Sequence, residues 1–521
     1  MKIIVPMAGK SERFSKENFY RPKPLIQICG KPLIEYVVNI FSREWEFIFI
    51  CSKYHIQNTD IVKVLRSIVP NCKIIGIDGS SAETPGPVYT STFAFDFVDD
   101  NEEVIVSYCD HDIQWDFQHF VRYVRTNDCD GAVPSFRGFH PALLGVTNYA
   151  CIDVDENNYV KKIEEKKFSE SKMKDNVATA VYYFKRGAFF KKYCRLVLDK
   201  NINVGGEAYM TLPFNLMIQD GLKILNYEVQ KNIVLGTPRD YEQYKFWSEF
   251  FFLQSYGGYD NLMLPTTNIF PISGNERDFK EIGINKLNFM IPVMGKPLIH
   301  YTIKSYPVGL KNIFICLKEN ENETDESTLR ECNPNTEILY LDKKTEGVAL
   351  SILKAEKLVE KDSPVCVGGS TNIVTYDQRR LHHLFTDESV DVILFTFTHH
   401  ENVLRNPNKY GYVKIENDRV SSIKEKGPIS DNPYKDHALT GIVVYKKSSY
   451  LFDSIRKMIS RPENKNFFFI SAINELIQEG KKVVVFEVDH FVSLSTVIDY
   501  QEFLYWQDYF HNLKHHPYSK L

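Results

Sequence analysis

The sequence has few of the features that mark zinc-binding, disulfide-linked or nucleic-acid-binding proteins. Its ten cysteines include no C-x-x-C pair, and several lie in apolar runs, as Cys51 does. We therefore expect small buried hydrophobes rather than zinc ligands or disulfides. The 63 Lys and Arg residues face 67 Asp and Glu residues, for a net charge of −4. A general nucleic-acid-binding protein usually has a basic excess, so we do not expect nucleic acid as a partner.

Long hydrophobic runs are also missing. No run approaches the roughly 20 apolar residues needed to cross a bilayer, and the apolar start of the chain is too short for a signal peptide. We expect a cytoplasmic protein with no membrane partner. With 521 residues, 43% hydrophobic and 25% charged, the chain has an ordinary globular composition and the length of two or more domains.

The chain repeats itself. Residues 4–9 (IVPMAG) recur as residues 269–274 (IFPISG), and residues 30–36 (GKPLIEY) recur as residues 295–301 (GKPLIHY). Both pairs have the same offset of 265 residues, whereas an aromatic segment near the end of each half repeats at an offset of 259. The small difference indicates loop insertions within one repeated fold.

The boundary between the halves is predicted at a pair of glycines. Gly257 and Gly258 follow an aromatic segment with helical character, and paired glycines end helices. The sequence therefore predicts two domains, residues 1–258 and residues 261–521.

Each half alternates the patterns of strands and helices. Runs rich in Ile, Val and Phe predict buried strands at residues 2–6, 47–51, 73–77 and 104–108. Helical periodicity predicts helices at residues 33–41, 60–69 and 88–97. This alternation is typical of an α/β fold, in which ligands bind at the loops that follow the carboxyl ends of the strands.

The loop after the first strand is suited to a phosphate. Gly9 follows the strand directly, and Arg13 and Lys23 come next along the chain. A glycine leaving a strand lets backbone N–H groups approach a phosphate, and Arg and Lys add complementary charge. These residues predict a triphosphate-binding loop.

Further motifs follow this loop in a fixed order. They are PKP (22–24), GKPLIEY (30–36), Asp110, IEEK (163–166), VYYF (181–184), GEAY (206–209) and LGTP (235–238). In this order the chain resembles the sugar nucleotidyltransferases, or nucleoside-diphosphate-sugar pyrophosphorylases, over nearly all of residues 1–250. The resemblance implies two tandem nucleotidyltransferase domains, each an α/β, Rossmann-like or GT-A-like fold with a mixed, mainly parallel sheet.

The resemblance also implies a reaction. An oxygen of a sugar 1-phosphate would attack the α-phosphorus of a nucleoside triphosphate and expel pyrophosphate, a step that depends on positioning and charge neutralisation. Arg13 would hold the departing phosphates and Lys23 would stabilise charge at the α-phosphate. Ala8 and Gly9 would cradle the nucleotide.

The remaining implied roles concern metal, base and acceptor. Asp110 would bind Mg²⁺, a cation that prefers carboxylate and phosphate oxygens, and Asp112 competes with it for that role. Gly86 would let the base lie against the backbone. Lys166 would meet the acceptor phosphate and Glu207 its hydroxyls.

The chain departs from the family pattern at several positions. Ser11 and Glu12 stand where the family usually has glycine and often threonine. Many members have a second metal-binding Asp where this chain has Val234, so a second metal is not implied. Ser81 replaces a Gln frequent in thymidylyl and uridylyl enzymes, whereas Glu83 could accept a hydrogen bond from cytosine or guanine, which favours CTP or GTP.

The second half loses the charges of the first. In register, Asp278 stands opposite Arg13, Asn288 opposite Lys23, and Thr371 at the metal position. Residues 206–207 (GE) become Lys465 and Asn466, and residues 236–238 (GTP) become residues 495–497 (STV). An Asp in place of the Arg repels a triphosphate. We expect a non-catalytic second domain, and the chain resembles paired catalytic and regulatory pyrophosphorylase subunits fused into one.

The leading hypothesis is a transferase that makes an NDP-sugar for surface polysaccharide synthesis. One alternative is a CTP-dependent cytidylyltransferase for a phosphate such as phosphocholine, and another is an NDP-sugar-sensing regulatory protein. A third is a glycosyltransferase that uses Asp110, His111 and Asp112 as a D-x-D motif, although such an enzyme does not need Arg13 or residues 22–24.

Two structural expectations complete the sequence analysis. Fusing two copies of a fold gives an effective concentration on the order of millimolar, so we expect contact between the halves through residues 241–256 and 500–510, unless these pack on their own sheets. Association into a homo-oligomer is a further expectation. Glu165 and Lys166 could be an exposed pair of small energetic value.

Overall fold

The computed structural model describes residues 1–9, 14, 21–78, 86–145, 149–169, 171–258, 262–274, 276–331, 333–461 and 468–520. The chain divides into two compact units, Met1–Ser248 and Glu249–Leu521. Within the described ranges, no helix has the length and apolar character needed to span a membrane.

The first unit alternates strands and helices, as the sequence predicts. Its strands are β1 (Lys2–Met7), β2 (Gln27–Ile28), β3 (Lys31–Pro32), β4 (Glu46–Ser52), β5 (Lys73–Ile77), β6 (Val104–Ser107), β7 (His111–Gln114), β8 (Gly131–Phe136), β9 (Ala150–Val154), β10 (Val160–Glu165), β11 (Asn176–Ala178), β12 (Val181–Phe184), β13 (Ile224–Glu228) and β14 (Lys231–Val234). Its helices are α1 (Leu33–Asn39), α2 (Lys53–Asn58), α3 (Ile61–Ile68), α4 (Pro87–Thr92), α5 (Phe117–Thr126), α6 (Gly187–Asp199) and α7 (Thr211–Gln219), and α8 (Pro238–Ser255) begins in it.

One mixed sheet forms the centre of this unit. Its strand order is β10-β9-β11-β8-β12-β6-β1-β4-β5, and β13 pairs with β8. Strands β5, β4, β1 and β6 are mutually parallel, and β12 joins them antiparallel. The parallel strands are apolar along their length because helices cover the sheet. Their carboxyl ends therefore point to one edge, where β1 and β6 are neighbours.

The second unit repeats this plan. Its strands are β15 (Thr267–Pro271), β16 (Pro292–Val293), β17 (Lys296–Pro297), β18 (Lys311–Leu317), β19 (Thr336–Leu341), β20 (Val365–Val367), β21 (Asn372–Thr375), β22 (Val392–Phe397), β23 (Tyr412–Glu416), β24 (Arg419–Lys424), β25 (His437–Tyr445), β26 (Val483–Glu487) and β27 (His490–Ser493). Its helices are α9 (Leu298–Lys304), α10 (Glu326–Glu331), α11 (Val348–Lys354), α12 (Gln378–Thr386), α13 (Glu401–Arg405), α14 (Ser448–Ser460), α15 (Ile473–Gln478) and α16 (Val497–Asn512).

The strand order shows that both units have the same fold. The sheet of the second unit runs β19-β18-β15-β20-β25-β22-β26. This order corresponds strand by strand to β5-β4-β1-β6-β12-β8-β13 of the first unit, with the same parallel and antiparallel pairs. The predicted fold class, two tandem α/β domains with mixed sheets, is confirmed.

The backbone of the repeated GKPLI motif is the same in both units. Gly30 and Gly295 each have φ of 80°, a left-handed value that favours glycine. The residue before each glycine, Cys29 and Met294, also has a positive φ, 49° and 43°. The sequence repeat is therefore a repeat of conformation.

The aromatic helix α8 ends as predicted, at Ser255 before Gly257 and Gly258. The last part of this helix, from Glu249 on, belongs to the second unit. There the Phe251 ring packs on Phe503 of α16, at 5.6 Å between ring centroids.

Candidate active site

A cation and a carboxylate meet at the carboxyl edge of the first unit's sheet. Lys23 Nζ donates to Asp110 Oδ2 at 2.9 Å, and the two side chains are 21% and 24% exposed. Lys23 lies 5.8 Å from the centroid of the buried Phe14 ring. A tight turn holds it in place, because Leu25 donates its backbone N–H to Pro22 O. The structure thus brings together two residues that the sequence assigned separately to phosphate and metal.

The loop after β14 borders Asp110. Leu235 donates its N–H to Asp110 O at 2.8 Å. A Cβ added to Gly236 would lie 3.2 Å from Asp110 Oδ2. A side chain at this glycine would therefore crowd the carboxylate, and Gly236 keeps that side of the group open.

Asp112 has different surroundings from Asp110. It is buried in β7 and accepts the N–H of Ile113 at 2.9 Å. Burial raises the pKa of Tyr36 in α1, and the charges of Cys29 and Asp112 contribute to this shift. Asp110 is therefore the more accessible of the two carboxylates that the sequence proposed for a metal.

The donor set around Asp110 suits a magnesium ion that is bound to a substrate. Among the described residues, no group of three or more His, Cys, Asp or Glu side chains could hold a metal ion by itself. Mg²⁺ commonly uses one or two carboxylates and completes its shell with phosphates and water. One accessible carboxylate beside a cation that can also bind phosphate fits this pattern.

Gly86 is required by the fold. It has φ of 139°, and an added Cβ would lie 2.8 Å from both the backbone N and O of Ala208. Val88 donates its N–H to Ala208 O, which fixes the start of α4 against this segment. The close approach places Gly86 next to Glu207, one residue before Ala208.

A second polar cluster surrounds Glu165 and Lys166. Thr211 Oγ1 donates to Glu165 Oε1 at 2.5 Å, and Lys166 Nζ lies 5.5 Å from the Tyr209 ring centroid. Burial raises the pKa of Glu165, partly offset by the Thr211 hydrogen bond and by Lys166, and the charge of Glu207 adds to the increase. The two residues proposed for the acceptor, Lys166 and Glu207, therefore share one site.

Tyr108 connects the two clusters. It lies two residues before Asp110, and its hydroxyl accepts the N–H of Met210 at 3.1 Å. Burial raises its pKa, as do Tyr182 and the nearby charge of Glu165. The Lys23–Asp110 pair and the Glu165–Lys166 cluster are thus both close to Tyr108.

Sequence reasoning did not assign Glu165, Thr211, Tyr209 or Tyr108 to the site. Glu165 and Tyr209 belong to motifs on which the resemblance depends. The sequence of Glu165 and Lys166 is, however, equally typical of a solvent-exposed charge pair. Thr211 and Tyr108 could have been found only through the contacts that the fold makes.

The structure describes some of the other predicted site residues. Ala8 is buried just after β1, and Gly9 is exposed, with no heavy atom of the described residues within 4 Å of an added Cβ. Arg13 and Glu83 lie outside the described residues. Ser11, Glu12 and Ser81 lie outside them too.

The equivalent loop of the second unit is filled by its own side chains. A Cβ on Gly274 would overlap the Glu276 carboxylate, and the same carboxylate pairs with Lys344 at 2.6 Å. Asn288 Nδ2 donates to Asp278 Oδ2 at 2.8 Å, and Asn288 Oδ1 accepts the Asp278 N–H at 3.0 Å. Asp278 and Asn288, which are the equivalents of Arg13 and Lys23 in the sequence repeat, therefore hydrogen-bond to each other.

The residue that corresponds to Asp110 in the second unit is a threonine, Thr371. Leu494 donates its N–H to Thr371 O at 2.9 Å, as Leu235 does to Asp110 O in the first unit. The matching hydrogen bonds confirm that Thr371 is the structural counterpart of Asp110.

A lysine lies beside this position in the second unit. Lys409 Nζ contacts Asp499 Oδ2 at 2.6 Å and Ser493 Oγ at 3.3 Å. Ser493 pairs in the β21–β27 ladder as Val234 does in the β7–β14 ladder. A fixed ammonium group thus stands beside Ser493, the counterpart of Val234. Lys465 and Asn466 lie outside the described residues.

Comparison with known families agrees with the repeated fold. Residues 3–166 match the MobA-like NTP transferase domain, and residues 283–509 match the nucleotidyl transferase family. The chain is a tandem of two nucleotidyltransferase domains. The bifunctional protein GlmU of Methanocaldococcus jannaschii is 26% identical over 231 residues, which are 44% of this chain and 50% of that protein. The chain thus spans about half the length of this curated relative.

Solved structures of nucleotidyltransferases cover one half of the tandem. The nucleoside-diphosphate-sugar pyrophosphorylase of Vibrio cholerae RC9 is 24% identical, with a TM-score of 0.39 over 47% of this chain and 99% of its own. The inositol-1-phosphate CTP transferase of T. maritima is 15% identical, with a TM-score of 0.38 over 47% and 96%.

Proposed function

We propose that the first nucleotidyltransferase domain transfers a nucleoside monophosphate from an NTP to a phosphorylated small molecule, a sugar 1-phosphate, and releases pyrophosphate. The observation that carries the proposal is the proximity of two clusters to Tyr108. Lys23 and Asp110 form the phosphate end, and Glu165, Lys166 and Glu207 form the acceptor end.

At the phosphate end, the Lys23–Asp110 ion pair keeps both charges compensated before substrate arrives. Phosphate oxygens offer Lys23 a stronger set of acceptors, so nucleotide binding would draw the ammonium group to the α-phosphate. Asp110 would then serve a cation, and Mg²⁺ bound there with the substrate phosphates would supply positive charge at the triphosphate. Arg13 remains our candidate for the departing phosphates.

At the acceptor end, charge and hydrogen bonding position the nucleophile. Lys166 would bind the acceptor phosphate and keep its attacking oxygen near the α-phosphorus. Glu165, held by the Thr211 hydroxyl, and Glu207 would accept hydrogen bonds from acceptor hydroxyls. A phosphate next to several hydroxyls is the chemistry of a sugar phosphate.

Fewer residues support the proposed nucleotide site. Ala8 and Gly9 end the first strand with open space in front of the glycine, which suits a nucleotide lying against the backbone. Gly86 holds the opposite wall against Ala208. Glu83 supports CTP or GTP as the donor. An NDP-sugar product would be suited to surface polysaccharide synthesis.

We further propose that the second domain does not catalyse transfer. Asp278, Asn288 and Thr371 offer no cation for phosphate and no carboxylate for a metal at the matching positions. Asp278 would repel a triphosphate.

The test is a matrix of the four NTPs against sugar 1-phosphates and phosphocholine, read by pyrophosphate release with Mg²⁺. We expect release with one NTP and at least one sugar 1-phosphate, and its loss in Asp110→Asn. Turnover with phosphocholine alone would support the cytidylyltransferase alternative. Absence of pyrophosphate from every pair, or full activity in Asp110→Asn, would contradict the proposal.

A further inference from the structure

The acceptor end of the first domain is repeated in the second domain. In the first domain, Asn215 donates its amide to Ile163 O and accepts the Ile163 N–H, at 2.8 and 2.9 Å. In the second, Asn474 makes the same two hydrogen bonds with Ile423, at 3.1 and 2.9 Å. A helix and a strand are thus locked in the same way, and the next residues of both strands can be compared directly.

The charged residues of this end are also repeated. Ser471 Oγ donates to Glu425 Oε2 at 3.2 Å, as Thr211 does to the first domain's glutamate. Lys426 Nζ lies 5.7 Å from the Phe468 ring centroid, matching the lysine over tyrosine of the first domain. Both domains therefore present a half-buried glutamate, held by a hydroxyl, followed by an exposed lysine beside an aromatic ring.

The phosphate end of the second domain differs from that of the first much more than the acceptor end does. At its phosphate end, Asp278, Asn288 and Thr371 have replaced the functional groups of the first domain. At its acceptor end, Glu425 and Lys426 keep both charges. A scaffold requires neither charge, because the Asn474 amide already fixes the strand to the helix. The charged pair is therefore kept at one end of the second domain, whereas the groups at the other end are replaced.

One position of the sheet next to this end carries a smaller residue in the second domain. The ladder of β20 with β25 matches that of β6 with β12, which places Gly369 at the position of Tyr108. A Cβ on Gly369 would meet no heavy atom within 4 Å. Tyr108 instead fills its place with a half-buried ring whose hydroxyl accepts the Met210 N–H, near the charge of Glu165. The second domain therefore lacks a side chain at the position from which Tyr108 approaches the glutamate of the first domain.

We propose that the second domain binds a phosphorylated, hydroxyl-bearing small molecule through Lys426 and Glu425 and does not transfer a nucleotide to it. The ligand is of the class that the first domain uses as acceptor, so the inference rests on the function proposed for Glu165 and Lys166. A free sugar phosphate and a nucleotide-activated sugar share this chemistry, and the closed phosphate loop at Asp278 favours the free sugar phosphate.

The test measures binding to the full-length chain by ³¹P line broadening. The probes are glucose 1-phosphate, mannose 1-phosphate and inositol 1-phosphate, with UDP-glucose and GDP-mannose as the nucleotide-activated arm. The Lys166→Met chain silences the first pocket and is the reference. Lys426→Met and Ser471→Ala are added to it, with Lys414→Met as the control because Lys414 is exposed in the same domain and pairs with Glu416.

We expect at least one sugar phosphate to bind the Lys166→Met chain. Lys426→Met should weaken this binding roughly tenfold or more, since a lost hydrogen bond between charged groups has about that effect. Ser471→Ala should weaken it less, and Lys414→Met should leave it unchanged. Tighter binding of a nucleotide-activated probe would identify that form as the ligand.

Two results would overturn the inference. One is that no probe binds the Lys166→Met chain, and the other is that Lys426→Met and Lys414→Met behave alike. Pyrophosphate release by the unmodified chain is a separate measurement. Release without second-pocket binding would reject this inference alone, whereas second-pocket binding without release would reject the transferase proposal.

Discussion

The segments that follow β1 and β15 begin from the same sequence pattern, but their described side chains make different contacts. In the first domain, Lys23 and Asp110 form an accessible ion pair, and Gly9 faces open space. In the second, Glu276 occupies the space in front of its glycine, and Asp278 binds Asn288. The repeated backbone is therefore kept while the side chains at the matching positions make different contacts.

The acceptor ends differ much less. Glu165 and Glu425 each accept a hydroxyl hydrogen bond, and a lysine follows each of them. The glutamate–lysine pair is therefore present in both domains, whereas Lys23 and Asp110 of the first domain are replaced by Asn288 and Thr371 in the second. This asymmetry predicts one catalytic domain and a second domain limited to binding.

The largest expected effect is a loss of kcat in variants of the first domain's phosphate end that matched variants of the second domain do not show. Lys23→Ala and Asp110→Asn should each lower kcat by roughly a thousandfold, because removing one group that stabilises transition-state charge typically costs that much. The matched variants Asn288→Ala and Thr371→Ala should leave pyrophosphate release within about twofold of the unmodified chain, since they touch no group in the reaction. Similar losses in both sets would mean that both domains are catalytic.

The next effect separates a glycine needed by the fold from one needed by the site. Gly86→Ala should destabilise the first domain by about 2–4 kcal/mol, because its Cβ meets the Ala208 backbone in a left-handed conformation. Gly9→Ala should leave the melting temperature unchanged, since open space surrounds that position. Calorimetry of both variants provides the check, and equal stability of the two would remove the assigned role of Gly86.

A third effect tests the shared scaffold. Burial lowers the pKa of His140 and of its counterpart His400 to about 4. The unfolded chain binds a proton at each near pH 6.5 while the folded chain does not, so stability is full above that pH and falls as the pH drops towards 4. The loss is on the order of 3 kcal/mol per histidine at most.

Thermal unfolding between pH 7 and pH 4 measures this effect. Both domains should lose stability over the same range, and His140→Gln should reduce the pH dependence of the first domain. Part of it should remain, because burial also lowers the pKa of His111 to about 4. A first domain that stays equally acid-sensitive in this variant would show that other groups cause the loss.

The smallest expected effect concerns the acceptor ends. Glu165→Gln should raise the KM for the acceptor roughly tenfold, because a carboxylate that accepts hydroxyl hydrogen bonds is lost. Glu425→Gln should leave this KM unchanged. Burial raises the pKa of Glu165, so its charge makes the folded state less stable at neutral pH. Glu165→Gln should therefore also raise the melting temperature, and a fall in both affinity and stability would indicate a structural role instead.

Much of the fold follows from the sequence because the repeat constrains it. The motifs around Gly30 and Gly295 predict equivalent backbones, and both glycines have the same φ. The end of helix α8 is also set locally, by Gly257 and Gly258. Long-range packing determines where one compact unit ends and the next begins. The Phe251 ring, near the end of α8, packs on Phe503 in the second unit.

The candidate site is predicted less completely. Sequence motifs nominate Lys23 and Asp110 one at a time, but their ion pair joins residues 87 positions apart and depends on the sheet order. Glu165 lies in a charged run that reads as exposed, yet the fold half-buries it against Thr211. Contacts across the fold, rather than local pattern, decide both cases.

The central claim is that the two domains divide binding from catalysis, with one triphosphate site in the chain. The most direct measurement is the stoichiometry of Mg²⁺-NTP binding to the full-length protein, using the NTP that supports turnover. We predict that one nucleotide binds per chain and that this binding is lost in Asp110→Asn. Two nucleotides per chain, or one that remains bound in Asp110→Asn and is lost in Thr371→Ala, would contradict it.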